Sequence, residues 1–316
     1  VSDEARRSVS LDLDNLWAYL KTHGDPRWES RPSFLPSAVP RLLDVFGEQR
    51  LTTTVFVVGA DAERDDGADA VAAITAAGHE VANHSFWHQP WLHRYSDAEL
   101  EAEVTRAEEA IMAAGAPRPV GFRGPGYSVT PQLLDVLNRR GYRYDASVLP
   151  TWIGPLARAY HNRTAGSTDG GADLFGGFGR VKAPNTAYRW RDNGLVELPV
   201  TTMPLLRVPI HGAYLLQLHQ ISPRLARGYF RTALRLCLAT MVSPSLLLHP
   251  TDVLTASEAP GMEFFPGMAV PGHEKVALLG WVLSLLRGHF DVVGTGEHVA
   301  RVAASGLRER DPVACG

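Results

Sequence analysis

Short apolar runs rich in β-branched residues alternate with segments of helical period along nearly the whole chain. SVSLDLD (8–14) reads as a strand and LTTTVFVVG (51–59) as a second. ADAVAAITAAG (68–78) is a helix stopped by glycine, and HEVANH (79–84) is a short strand. SDAELEAEVTRAEEAIMAAG (96–115) is a helix that opens with Ser96 and Glu99 at capping-box spacing. Further strands are expected in PVGFRGP (119–125), YRYDASVLP (142–150), LVELPVT (195–201) and PSLLLHP (244–250). Further helices are expected in TPQLLDVLNRRG (130–141) and KVALLGWVLSLLRG (275–288). Repeated β-then-α units predict parallel strands with helices outside, and 316 residues suit a single α/β barrel. Residues 151–194 break the rhythm. They are rich in Gly, Thr, Asn and Asp and read as a long insertion or lid.

Composition narrows the function classes. A hydrophobic content of 45% supplies a large core, and a net charge of −3 argues against a general nucleic-acid binder. Two cysteines, Cys237 and Cys315, imply no disulfide framework. A reducing, cytoplasmic setting is therefore expected. No apolar run is long enough for a transmembrane helix. VSDEARR has no signal-peptide core, yet the chain begins at Val1, which leaves a trimmed leader open.

In parallel α/β barrels the chemistry sits where strands end. The first strand delivers Asp12 and Asp14, and the third delivers His84, followed by Phe86, Trp87 and His88. The fourth delivers Arg123, then Gly124, Pro125, Gly126 and Tyr127; the fifth carries Asp145 and the seventh ends at His249. Asp12 and Asp14, two apart on a strand, share a face. His84 and His88, four apart, face the same way on a helical turn. Two imidazoles and one carboxylate give three ligands for a divalent metal, with a fourth position for water, as in catalytic zinc sites. One acid would bind metal while the other hydrogen-bonds its water. Taken singly, each feature has a plainer reading as a solvent-facing acid or a surface histidine. Their joint order favours a site.

The order SLDLD, HSFWH, RGPGY, YDAS and LLLH resembles the five motifs of the polysaccharide deacetylases, carbohydrate esterase family 4, with its NodB-homology domain. The resemblance covers residues 8–150 and 244–300. It implies an irregular (β/α) barrel of the NodB-homology type, a single domain over 1–316 with an insertion at 151–243 before the last catalytic strand. It also implies a metal-dependent hydrolase that removes N-acetyl groups from amino sugars, with Zn²⁺, or Co²⁺, Mn²⁺ or Ni²⁺, as cofactor. By resemblance Asp14, His84 and His88 hold the metal, and Asp12 is the general base that Arg123 orients. His249 is the general acid, oriented by Asp145. Leu247 lines the acyl-methyl pocket, and Gly126 supplies an oxyanion N–H where many members have Tyr or Phe, with Tyr127 one place later. The spaced aspartates also occur in branches acting on peptidoglycan, lipid-linked amino sugars and small cyclic amides. The reading therefore runs from an N-acylated amino sugar, including a polyprenyl-phosphate-linked one, to an allantoinase-like cyclic amide or an inactive glycan-binding barrel.

Two segments bear on the substrate. ISPRLARGYFRTALRLCLATMV (221–242) opens with Ser222 and Pro223, a helix start. Arg224, Arg227, Arg231 and Arg235 form one stripe, with Leu225, Phe230, Ala233, Leu234, Cys237 and Leu238 as apolar surface. Such a helix can lie on an anionic membrane or hold a lipid phosphate; the plainer and favoured reading is an ordinary barrel helix with a solvated stripe and an apolar face in the core. Trp87, with Phe86 and Trp91, fits either sugar stacking or core packing.

Overall fold

The computed structural model describes residues 6–153 and 183–311. Most of the lid expected at 151–194, and Cys315, lie outside the described residues. Ten strands form one sheet: β1 (Arg6–Leu13), β2 (Thr54–Val57), β3 (Glu80–Asn83), β4 (Gly121–Phe122), β5 (Tyr144–Asp145), β6 (Tyr188–Trp190), β7 (Val196–Glu197), β8 (Ser245–Leu248), β9 (Asp291–Val293) and β10 (Glu309–Arg310). Their order is β10-β6-β7-β5-β4-β3-β2-β1-β8, with β9 paired to the first residues of β1. Every pairing is parallel except β6 with β7. The barrel expected from the β/α rhythm is thus a curled mixed sheet, a half-barrel with β8 and β10 at its edges. The chain beyond β7 bridges the curl: the Thr201 N–H donates to Ser245 O at 3.0 Å, and the Ser245 N–H to Thr201 Oγ1 at 2.8 Å.

The helices are α1 (Leu16–His23), α2 (Leu35–Glu48), α3 (Gly59–Ala62), α4 (Asp65–Ala76), α5 (Asp97–Ala113), α6 (Pro131–Arg139), α7 (Gly212–Ile221), α8 (Pro223–Ala239), α9 (Gly272–His289) and α10 (Thr295–Ala304). The capping box read at Ser96 and Glu99 is formed at the start of α5. Sequence reading missed α2. Its Pro36 and Pro40 look like breakers; Pro36 falls in the first turn, where a missing N–H costs least, while Pro40 lies inside the helix and removes the bond to the Pro36 carbonyl without ending it. Among the described residues no helix is long and apolar enough to cross a membrane.

Strand β1 shows how the site is positioned. Side chains alternate across a strand. Val9, Leu11 and Leu13 enter the main core shared with the helices. Ser10 and Asp12 take the opposite face. Deeper within the curl, Phe56, Ala82, Tyr144, Ala146, Val196 and Leu198 make a second apolar cluster. Leu247, wholly buried, stands opposite Ser10 in the β1–β8 register and so shares the Ser10–Asp12 face.

Candidate functional site

Asp14 lies just beyond β1, on a turn that other elements fix. Asn15 caps α1: its Oδ1 accepts the N–H groups of Leu16 (2.8 Å) and Phe34 (3.0 Å). Its Nδ2 donates to Asp61 Oδ1 at 2.8 Å, and Trp17 Nε1 donates to the same oxygen at 2.8 Å. Burial pushes the Asp61 carboxyl up to about 6, against the pull of those two donors. A raised acid contributes stability that is full below its ordinary value of 3.8 and is lost as pH rises through about 6. Asp61→Asn keeps the Oδ1 acceptor and removes the titration. Chemical denaturation across this window should show wild type losing up to ~3 kcal/mol more than the variant. Parallel profiles would contradict the assignment.

His84 follows β3 directly. The helical turn expected for His84 and His88 is not there: the segment from His84 to Trp91 contains no helix. Ser85 (φ 62°) and His88 (φ 49°) are left-handed instead, and these two bends bring the imidazoles to 5.1 Å between ring centres. Such backbone is strained for residues other than glycine and needs support. The support comes from α5, where Glu103 Oε1 accepts the N–H groups of Phe86 (3.1 Å) and Trp87 (2.6 Å).

The result is convergence. His84 Nε2 lies 3.2 Å and His88 Nε2 2.9 Å from Asp14 Oδ1. One ligand atom from each residue lies within 4.8 Å of the others, and all three side chains are buried. At 2.6 Å, His84 Nδ1 is placed to donate to the Arg123 carbonyl, which leaves the Nε2 lone pair facing the cluster. Burial alone would raise the Asp14 carboxyl, but the charge and hydrogen bonds of His88 and His84 hold it well below the usual carboxylate range. Two imidazole nitrogens and a carboxylate, buried and pointed at one spot, suit a divalent cation.

Asp12 stands beside this cluster. Arg123, wholly buried, donates through Nη1 to Asp12 Oδ1 (2.6 Å) and Ser10 Oγ (3.0 Å), and through Nε to the Ala146 carbonyl (2.9 Å). Its guanidinium lies 4.1 Å from the centre of the Phe56 ring. The other Asp12 oxygen is 4.0 Å from His84 Nε2. Arg123→Met strands Asp12 as a buried, unpaired charge. It should cost about 3–5 kcal/mol in urea unfolding; a change under 1 kcal/mol, the scale of exposed pairs, would show that the pair is not anchoring the site.

Among the described residues Asp145 makes no hydrogen bond to His249, the residue the motif order pairs it with. Asp145 stands opposite Glu197 in the β5–β7 register. Its Oδ1 accepts the Ser147 hydroxyl at 2.5 Å. Burial and then the charge of Asp145 push Glu197 well above the carboxylate range, which favours its neutral form beside Asp145. Its Oε1 also accepts the Val148 N–H at 3.0 Å. His249, beyond β8, packs edge-on to His211 with ring centres 6.4 Å apart, and its backbone N–H donates to Asp252 Oδ2 at 2.9 Å. Burial pushes His211 down to about 3, so it is neutral.

Glu197, His211 and Asp252 were missed in the sequence. A lone acid inside LVELPVT, and an acid three residues after His249, were the available signals. Gly126 (φ 59°) is required where it stands, because a Cβ there would lie 2.9 Å from Pro90 Cβ. Tyr127 is also left-handed (φ 61°); burial and then Asp12 raise its hydroxyl. Trp87 packs edge-on to Phe86 and Trp17, at 5.0 and 6.4 Å.

Residues 5–144 match the family model for polysaccharide deacetylases. A chitooligosaccharide deacetylase of Sinorhizobium fredii is 39% identical over 79 residues, which is 25% of this chain and 35% of that protein. One from a Bradyrhizobium species is 38% identical over the same shares. The chain therefore spans about a third of the length of the curated relatives it matches. A solved structure from Mycobacterium smegmatis, described as a polysaccharide deacetylase, is similar with a TM-score of 0.66 at 21% identity, over 99% of this chain and 95% of that one. Puue allantoinase is similar with a TM-score of 0.58 at 14% identity, over 95% and 90%. At these identities the two structures speak for the fold.

Proposed function

This chain belongs to the polysaccharide deacetylase family, and on that footing we propose that it is a hydrolase removing an N-acyl group, most simply acetyl, from an amino sugar. The observation that supports this reading is the buried Asp14, His84 and His88 cluster with the Asp12–Arg123 pair at its side. These three residues would hold a divalent cation, with Zn²⁺ suited to the donor set. When bound it supplies a lowered pKa for water and polarisation of the amide carbonyl.

The remaining roles follow from the chain's own residues. Asp12 takes the proton from the attacking water. Arg123 occupies one of its oxygens and favours the charged base, which leaves the other toward the ligand cluster. The Gly126 N–H, at the end of β4, assists the oxyanion, and a donor of this kind is worth roughly 3 kcal/mol. His249 gives a proton to the departing amine, without which the amine does not leave. Asp252 accepts the His249 backbone N–H, while Asp145 stands opposite Glu197. Leu247 would border the acyl methyl.

The test is acyl release by the Zn²⁺-loaded protein. Acetate and formate are assayed from free, polymeric and polyprenyl-phosphate-linked N-acyl amino sugars, with Asp12→Asn as control. Release from one class, absent in the control, establishes the chemistry and the substrate class together. Bound metal with no release from any of them overturns the amino-sugar reading in favour of small cyclic amides.

A further inference from the structure

Between Glu197 and Asp252 the chain carries five arginines and no acidic residue, within a protein of net charge −3. Four of them, Arg224, Arg227, Arg231 and Arg235, are exposed on α8. Their spacing of three and four places them on one stripe. The other side of α8 is committed to the core through Ala226, Phe230, Ala233, Leu234 and Cys237. The stripe therefore cannot turn inward. Among the described residues none of the four meets a carboxylate. Arg227 and Arg231 rest instead over the Trp281 ring, 5.6 and 5.1 Å from its centre. Arginines four apart repel one another, so an anionic partner is the missing element.

The exposed arc of α8 also carries apolar side chains. Leu238 lies within the stripe and Leu225 to one side of it, and Ile221 and Met241, at the two ends of α8, are 75% and 86% exposed. The turn at 203–208 adjoins α8 on the flank between this exposed arc and the core. Met203 and Val208 pack with Ala233, Tyr229 and Leu236, and the Tyr229 hydroxyl donates to the Pro209 carbonyl at 2.7 Å. At the tip of that turn Leu205 is 77% exposed, with Leu206 beside it. Unpaired arginines among exposed large apolar side chains are what a helix lying in the plane of a lipid surface presents.

We propose that α8 and the adjoining 203–208 turn are a docking face for an anionic lipid surface. The helix lies flat, its arginines at the headgroup phosphates and the exposed leucines, Ile221 and Met241 at the acyl boundary. A soluble acidic polymer or an acidic protein would use the arginines and leave the apolar set without a purpose, which is why lipid is the favoured occupant. This face does not depend on the proposed chemistry, and its test needs no turnover.

The experiment is sedimentation of the full chain with vesicles of equal parts phosphatidylglycerol and phosphatidylcholine, and with phosphatidylcholine alone. Binding is expected to the anionic vesicles, falling as salt is raised, with each arginine worth roughly fivefold. Arg224→Gln, Arg227→Gln and Arg231→Gln together should weaken it about a hundredfold. Arg224→Gln with Arg235→Gln spares the Trp281 contacts and should give a smaller loss in the same direction. Leu205→Ser, Leu206→Ser and Met241→Ser together, all at exposed positions, should abolish the binding that survives raised salt. Absence of wild-type binding, or equal binding to both vesicle types, overturns the proposal. So does full binding by the serine variant, which would point to an acidic polymer or protein instead.

Discussion

Asp12→Asn is expected to lower turnover about 10²–10⁴-fold, the usual share of a general base, while the protein still takes up its metal. Asparagine keeps the shape of the side chain and can still accept from Arg123, which is held at 2.6 Å in the wild type. It cannot take a proton. It also leaves the buried Arg123 without a counter-charge, so thermal unfolding must be followed beside activity. Ser10 Oγ and the Ala146 carbonyl continue to accept from the guanidinium and limit that loss. Metal content by elemental analysis separates the two aspartates. Loss of metal from this variant would mean that Asp12 and Asp14 have been assigned each other's work.

His84→Ala should lose both metal and activity. The ring supplies Nε2 to the cluster and, through Nδ1, a 2.6 Å contact to the Arg123 carbonyl. Removing it takes away one of three ligands and the contact that orients it. Outer-shell contacts of this kind are themselves worth about 10–100-fold in metal affinity, and the ligand adds to that. Metal bound after exhaustive dialysis should fall close to zero. A variant that keeps stoichiometric metal would show that the cation, if one binds, is held elsewhere.

Asp12 was legible because a strand has a period of two, whereas Asp14 lies one residue beyond β1, on the turn that Asn15 caps. Val9, Leu11 and Leu13 on one face and Ser10 and Asp12 on the other follow from local geometry, and β1 obeys it. The residue types at the strand ends were legible for a similar reason, since β/α alternation places strand ends at one side of the sheet. His84 and His88 were legible as a pair, but not how they meet. Left-handed backbone at Ser85 and His88 is held by contacts from elsewhere in the fold, among them Glu103, sixteen or seventeen residues further along, which accepts the N–H groups of Phe86 and Trp87.

Strand neighbours lay beyond the sequence altogether. That β7 lies against β5 and sets Glu197 opposite Asp145 could not be read locally. No local pattern carries strand order, because it is decided by which long-range pairings bury the most surface. Helix α8 divides the same way. Its cap at Ser222 and its arginine spacing are properties of the sequence alone. Only packing decided that Phe230 and Leu234 are covered while Leu225 and Leu238 remain outside, because burial depends on which surfaces the fold brings against the helix.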